Sequence, residues 1–312
     1  MAIDLIAAPS NLGLRPPEPG SVPGTAKAPE ALRESGLFGA FARLGARDAG
    51  TELAARYRAA VEPGATVRNE TAIIDHSRRL TGRIDAAIGA GRTPFVIGGD
   101  CSIVLAPALA LRRRGRFGLV YLDGHGDFRH PGNSDEVGAL GGEALAAAVG
   151  LHAPAVSDLD GLRPLIQPRD AVQLGARDDE VDAIELAETL GAFLPTSAVR
   201  TDGIERTVER VRAVVAASDL DGYWIHLDVD ALDPEYMPAV DSVDAGGLDP
   251  AELVALLQAL APDAIGADVA IFDPDLDPTG EYAESLTALL EAGFAELGTA
   301  TVVSTRGQER HG

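Results

Sequence analysis

Cysteine is nearly absent from this sequence: Cys101 stands alone among 312 residues. No disulfide can form within the chain, and a reducing, cytoplasmic setting is expected. No apolar run approaches the roughly 18 residues that a membrane-spanning helix needs. The opening residues, MAIDLIAAPSNLG, lack the basic start and the long apolar stretch of a secretory signal. Positive charge is scarce as well. With 26 Lys and Arg against 48 Asp and Glu, the formal net charge is −22, so nucleic acid and anionic membrane would be repelled and a small molecule is the expected partner. Lys27 is the only lysine; among so many arginines and alanines we read it as compositional bias.

What is present is apolar material in quantity, 46% of the chain, enough to bury a large core. No repeat and no linker divides it, so one domain over 1–312 is expected. The start reads as a short strand, Ile3 to Ala8, and buried strands are expected at TPFVIGG (93–99), FGLVYLD (117–123), DAVQLGA (170–176), GYWIHLDVD (222–230) and AIGADVAIF (264–272). Helical spacing lies between them, at 103–113, 142–149, 180–191, 204–217 and 250–261. Alternation of strand and helix predicts an α/β fold, a parallel sheet with helices on both faces. Sites in such sheets form beyond the carboxyl ends of the strands. The Pro/Gly-rich stretch 15–29 is too long for a simple connector and is expected to be either a functional loop or a surface flap.

Polar clusters sit at three of those strand ends: GGDCS, DGHGD and DVDALDP. Asp123, His125 and Asp127 fall at alternate positions, as do Asp228 and Asp230, and a strand turns alternate side chains to one face. Massed carboxylates resist burial unless positive charge sits among them. Four carboxylates balance two divalent cations, with one imidazole and a bridging water completing the set; a shared water of this kind is acidified toward neutral pH. Oxygen-rich ligands suit Mn²⁺ or Mg²⁺, and imidazole favours transition metals.

These motifs resemble the arginase or ureohydrolase family, dinuclear manganese hydrolases of guanidino compounds with a three-layer α/β/α fold. GTAKAPEALRESG is similar to the family's early loop and first helix, IGGDCS to its GGDHS box, and LDGHGDF to its DAHxD box. QLGARD is similar to its central strand and turn, and HLDVDALDP to its SFDVDxxDP box. The resemblance implies a first metal held by position 101, Asp123, Asp127 and Asp228, and a second held by Asp123, His125, Asp228 and Asp230. It implies that Asp127 also aims the bridging hydroxide, and that the protein is a homo-oligomer, a trimer or hexamer. Asp100 and Asp233 match acids that support the site or its loops; helix capping or turn formation explains them equally.

The chain departs from the family in several places. Cys101 stands where the family has histidine. As a thiolate it would ligate and let Zn²⁺, Co²⁺ or Fe²⁺ compete with Mn²⁺; as a small buried residue it would leave the first site short of a ligand. VGALGG (137–142) replaces an SGNLHG-like stretch, so Val137 and Ala139 offer no polar contact and Gly141 falls where a proton-relaying histidine is usual. Arg129 could grip a substrate carboxylate bidentately or be a surface residue, and His130 could act as the relay or be a loop histidine. Ile271 takes the place of a guanidinium-pairing glutamate, and Asp273 or Asp275 could substitute for it or form a turn. The expected activity is hydrolysis of a linear, non-peptide C–N bond in an amidine, guanidino or ureido-type compound, with arginine disfavoured. A relative that binds metal and ligand without catalysis is the alternative, and a Mg²⁺-dependent enzyme of phosphorylated substrates lacks a phosphate cradle.

Overall fold

The computed structural model describes residues 2–301; of the expected domain over 1–312, residue 1 and residues 302–312 lie outside the described ones. Eight strands are present among the described residues: β1 (Ile3–Ala8), β2 (Arg47–Thr51), β3 (Thr93–Gly98), β4 (Gly118–Leu122), β5 (Ala171–Leu174), β6 (Ala192–Leu194), β7 (Tyr223–Asp228) and β8 (Gly266–Ala270). They form one sheet in the order β2-β1-β3-β8-β7-β4-β5-β6, with every neighbouring pair parallel. The inner strands are apolar along their length because both faces are covered, and β1, β3 and β7 are buried at every residue. β2 and β6 escape the apolar pattern because they are short edge strands, and β2 is largely exposed.

The helices are α1 (Ala28–Glu34), α2 (Leu37–Arg43), α3 (Glu70–Gly89), α4 (Leu105–Arg114), α5 (Ala144–Ala148), α6 (Pro154–Ser157), α7 (Ala183–Thr189), α8 (Thr196–Val215), α9 (Pro250–Leu260) and α10 (Glu281–Phe294). α3 packs on α4, and α9 packs on both α8 and α10. α9 shows why such boundaries are legible: Asp249 accepts from the backbone N–H of Glu252, the Glu252 carboxylate accepts in return from Asp249, and Pro250 follows the cap. No helix among the described residues is long and apolar enough to cross a membrane. The architecture is the expected three-layer α/β/α fold.

Strand order is what positions the site. β3 and β4 are consecutive in sequence but are separated in the sheet by β8 and β7. The chain skips two places here and fills them only after turning back from β6, so the loops beyond β3, β8, β7 and β4 lie side by side around one crevice. Of the two readings of 15–29, a free flap does not hold: the stretch lines the cleft and its second half is docked. Asp273 Oδ2 accepts from Gly24 N at 3.0 Å, Lys27 Nζ pairs with Asp275 at 2.5 Å, and Asn11 Nδ2 donates to Pro23 O at 2.8 Å. A Cβ at Gly24 would collide with the Asp273 carboxylate, so glycine is required for this docking. Asp273 and Asp275 are thereby engaged in bracing a loop.

At the opposite edge, Asp4 of β1 receives Arg47 Nε at 2.7 Å and Arg47 Nη2 at 2.8 Å, and also pairs with Arg92. Burial alone would raise the Asp4 carboxyl, but the two guanidiniums outweigh it and hold it below its usual range. A lowered folded value gives stability that is present above the unfolded value of about 3.9 and is lost as pH falls through the folded value. Asp4→Asn should lower the unfolding free energy by about 1–2 kcal/mol at pH 7, allowing for screening on the exposed Arg47 side. In urea titrations the gap from wild type should stay constant down to about pH 5 and narrow below pH 4.

Candidate metal centre

The motif acids do converge, but not through strand alternation alone. β4 ends at Leu122, and the following segment turns so that Asp127 adopts φ 45°. β7 ends at Asp228, whose side chain caps the tight turn 229–231 by accepting from Asp230 N at 2.8 Å. Cys101 follows β3 in a turn capped by Asp100, which accepts from Ser102 N at 3.0 Å and from Ser10 Oγ at 2.6 Å. Asp233 accepts from Glu235, Gly246 and Gly247 backbone N–H groups. Both acids are thus turn formers that fix the site's loops.

Within the cluster, Asp123 Oδ1 accepts from His125 N at 2.6 Å, and Asp230 Oδ1 accepts from Gly124 N at 3.1 Å. His125 Nδ1 lies 2.9 Å from Asp230 Oδ2, and its Nε2 lies 3.1 Å from Asp244 Oδ2. The Cys101 thiol donates to Asp228 Oδ2 at 2.8 Å, and the Tyr121 hydroxyl donates to Asp127 Oδ2 at 2.5 Å. Ligand atoms of Asp123, His125 and Asp230 lie within 4.8 Å of one another, as do those of Cys101, Asp123 and His226.

The electrostatics are those of a site built for cations. Burial, reinforced by Asp127, Asp228 and Asp230, pushes the Asp123 carboxyl well above its ordinary range. Burial with Asp230 and Asp127 does the same to Asp228. Asp127 is pushed up to about 6, chiefly by burial and against the pull of the Tyr121 hydrogen bond. Burial works against a charged His125, but Asp230, Asp244 and Asp127 outweigh it and push the ring up to about 11. Asp230 alone is lowered: its burial is overcome by His125, Arg177 and the Gly124 N–H. Burial and the neighbouring Asp228 push the Cys101 thiol well up. Asp123 Oδ2 is buried with no hydrogen-bond partner among the described residues. An orphaned oxygen, four carboxylates, a sulfur and imidazole in one pocket form a donor set that fits two divalent cations.

Cys101, His125, Asp127, Asp228 and Asp230 floor a cleft of about 710 Å³, which also takes in Arg129 and Ile271, and fully buried Asp123 lies beneath that floor. Arg129 is half-buried, with its guanidinium over Gly142, where any Cβ would collide with it. Ala139 and Gly141 line the wall without polar side chains. Their loop is held from below by the buried Glu143, which accepts from Gly138 N and Ala139 N and pairs with His152 at 2.8 Å. His130 does not reach the site. Its Nε2 faces Glu185 at 3.0 Å, its Nδ1 accepts from Gly132 N at 3.0 Å, and its ring packs edge-on against Phe128. With both nitrogens engaged it does not serve as the proton relay.

Three residues escaped the sequence reading. Buried Arg177 donates to the carbonyls of Asp230, Leu232 and Asp244, stapling two loops of the site. His226 and Asp268 face each other in register on β7 and β8 at 2.5 Å. Both lay inside apolar runs, where a histidine and an aspartate are the anomaly that could have revealed them.

Gly124 is confined by this stapling: a Cβ there would lie 2.5 Å from Asp230 O and would also strike Arg177. Gly124→Ala should therefore displace the 229–231 turn and lower stability by about 1–3 kcal/mol. Thermal unfolding with and without added Mn²⁺ should show both a lower Tm and a smaller metal-induced rise.

The arginase family model matches residues 5–296. The chain is 29% identical to arginase from Bacillus caldovelox over 301 residues, covering 94% of this chain and 98% of that one. It is 28% identical to arginase from Staphylococcus aureus, with 95% and 97% covered. The solved Bacillus caldovelox arginase superposes with a TM-score of 0.83 at 28% identity, covering 94% of this chain and 97% of the other. Together with the site's geometry, these likenesses place the chain in the arginase family, metal-dependent hydrolases of C–N bonds other than peptide bonds.

Proposed function

We propose that this protein hydrolyses a small amidine, guanidino or ureido compound with two divalent cations, Mn²⁺ preferred and Zn²⁺, Co²⁺ or Fe²⁺ admitted by Cys101. The observation that carries this reading is the gathering of three buried carboxylates and half-buried Asp127 at one cleft, with Asp123 Oδ2 unpartnered just beneath its floor. Asp123, Asp127 and Asp228 would hold the first ion beside position 101, and Asp123, His125, Asp228 and Asp230 the second. When bound, the ions supply an acidified water and positive charge opposite the negative charge that develops on the substrate.

The chain's own groups set the rest. Asp127, fixed by Tyr121 at 2.5 Å, accepts a proton from the attacking water and returns it to the departing nitrogen. No histidine other than His125 lines the cleft among the described residues, so no imidazole relay is assigned. Arg129 offers a guanidinium to an anionic substrate group. Ile271, nearly fully buried, presents an apolar wall where the family resemblance puts a carboxylate, and Asp273 and Asp275 are turned to loop bracing. The buried carboxylate nearest this wall, Asp273, has both oxygens engaged by the Gly24 and Asp275 N–H groups, which favours a less cationic substrate than arginine.

Protein purified without chelator should carry about two transition-metal ions per chain by mass spectrometry. Asp127→Asn should reduce release of ammonia or urea by about 10²-fold or more. Ile271→Glu should raise kcat/KM for guanidinium substrates relative to neutral ureido ones. Two bound ions without turnover on any amidine, guanidine or urea would instead support a non-catalytic ligand-binding protein, and fewer than one ion per chain would defeat both readings.

A further inference from the structure

The buried row that crosses the sheet beneath the acid cluster is not explained by the ligands assigned above. Tyr121 on β4, His226 on β7 and Asp268 on β8 are register partners across three adjacent strands, so their side chains share one face of the sheet. Tyr121 stacks on the His226 ring, with centroids 4.3 Å apart and planes 25° apart. Asp268 takes His226 Nδ1 at 2.5 Å on one oxygen and Trp224 Nε1 at 2.6 Å on the other. The imidazole is thus clamped in position and orientation. With Nδ1 donating to Asp268, the lone pair is on Nε2, and Nε2 is fully buried without any hydrogen-bond partner among the described residues. A buried imidazole nitrogen left unmatched is destabilising, so a missing partner is expected. His226 lies two residues before Asp228 on the same face of β7, and it offers a ligand atom within 4.8 Å of those of Cys101 and Asp123.

We propose that His226 Nε2 is a ligand of the first metal ion, in place of the histidine that the family's GGDHS box puts at position 101. The inference rests on the dinuclear reading above. Three observations converge on it. His226 and Asp123, each of which carries an orphaned buried atom, belong to the same cluster. A neutral imidazole adds a ligand without adding charge to four carboxylates that already balance two divalent ions, whereas a Cys101 thiolate would bring a fifth negative charge. Asp268, hydrogen-bonded to the far nitrogen of the ring, occupies the place of the carboxylate that orients a metal-bound histidine. The family's SFDVDxxDP box carries serine at the position of His226, so cysteine at 101 and histidine at 226 read as one exchange. Asp268, Tyr121 and Trp224 are positioning residues.

Cobalt(II)-loaded protein provides the test, through ion stoichiometry, affinity by chelator competition and paramagnetic proton NMR. Wild type should bind two ions and show exchangeable, strongly shifted imidazole N–H signals from two histidines, His125 and His226. His226→Gln should lose one of those signals and weaken one ion by about 10–100-fold, leaving the second ion's affinity unchanged. The exchange variant Cys101→His with His226→Ser should recover the affinity and the second signal, and it keeps the proposal testable should His226→Gln fold poorly. If His226→Gln binds both ions with wild-type affinity and signal count while only its Tm falls, His226 is structural and the proposal is overturned. Failure of the wild type to bind two ions would overturn the dinuclear reading and this inference together.

Discussion

Mutual repulsion among buried carboxylates is the constraint around which this molecule is organised. Asp123, Asp127, Asp228 and Asp230 are brought together largely out of water, and three of the four are driven toward the protonated form as a result. A fold tolerates such an arrangement only if the surrounding scaffold over-determines it, or if cations complete it. Both conditions are visible. Two neighbouring parallel strands, β4 and β7, deliver the acids, and Arg177 holds two of the loops by their carbonyls while its charge helps to lower Asp230. Its guanidinium binds backbone, so it stiffens the site while leaving the acid oxygens available.

Local strain follows the same map. Asp127 at φ 45° and Ile271 at φ 72° are among the few non-glycine residues with positive φ, and both line the cleft. For a β-branched residue this conformation is a true outlier and costs of order 1–3 kcal/mol. Ile271 is held in it by a hydrogen bond from its N–H to Gly99 O at 2.7 Å. That bond joins the loop after β8 to the loop that presents Cys101. The backbone geometry of the substrate wall is therefore fixed by the same contacts that shape the metal floor.

Much of this was legible in the sequence, and the exceptions have physical causes. Six strands could be read because continuous apolar runs are what a doubly covered parallel sheet demands. β2 and β6 could not, since a short edge strand needs little burial. The metal floor was legible because carboxylates beside a strand end have few other reasons to cluster. Its geometry was less so: alternate spacing was the right clue, yet the strands stop at Leu122 and Asp228 and turns complete the convergence. His130 misled because closeness in sequence is not closeness in space. After the turn at Asp127 the chain buries Phe128 and carries His130 toward Glu185. His226 was hidden for the opposite reason: a polar residue inside an apolar strand is masked by its neighbours, and only register across β4 and β8 reveals its company.

The altered substrate side is also coupled to the fold in a way residue identities alone do not show. Gly141 N donates to Gly13 O at 2.9 Å, and a Cβ at 141 would come 2.8 Å from a Leu14 methyl. Leu14 is itself buried, and Arg15 reaches back to Glu136 O at 3.0 Å. A histidine at 141 would have to turn the Leu14 side chain aside, and the loop that carries Leu14 is tied through Asn11 and Pro23 to the segment docked on Asp273. The absence of a relay histidine and the closed-in position of the first loop are thus two views of one packing arrangement. Restoring such a relay would need Leu14 repacked as well as one residue changed, because interiors packed at this density transmit a single added side chain into their neighbours.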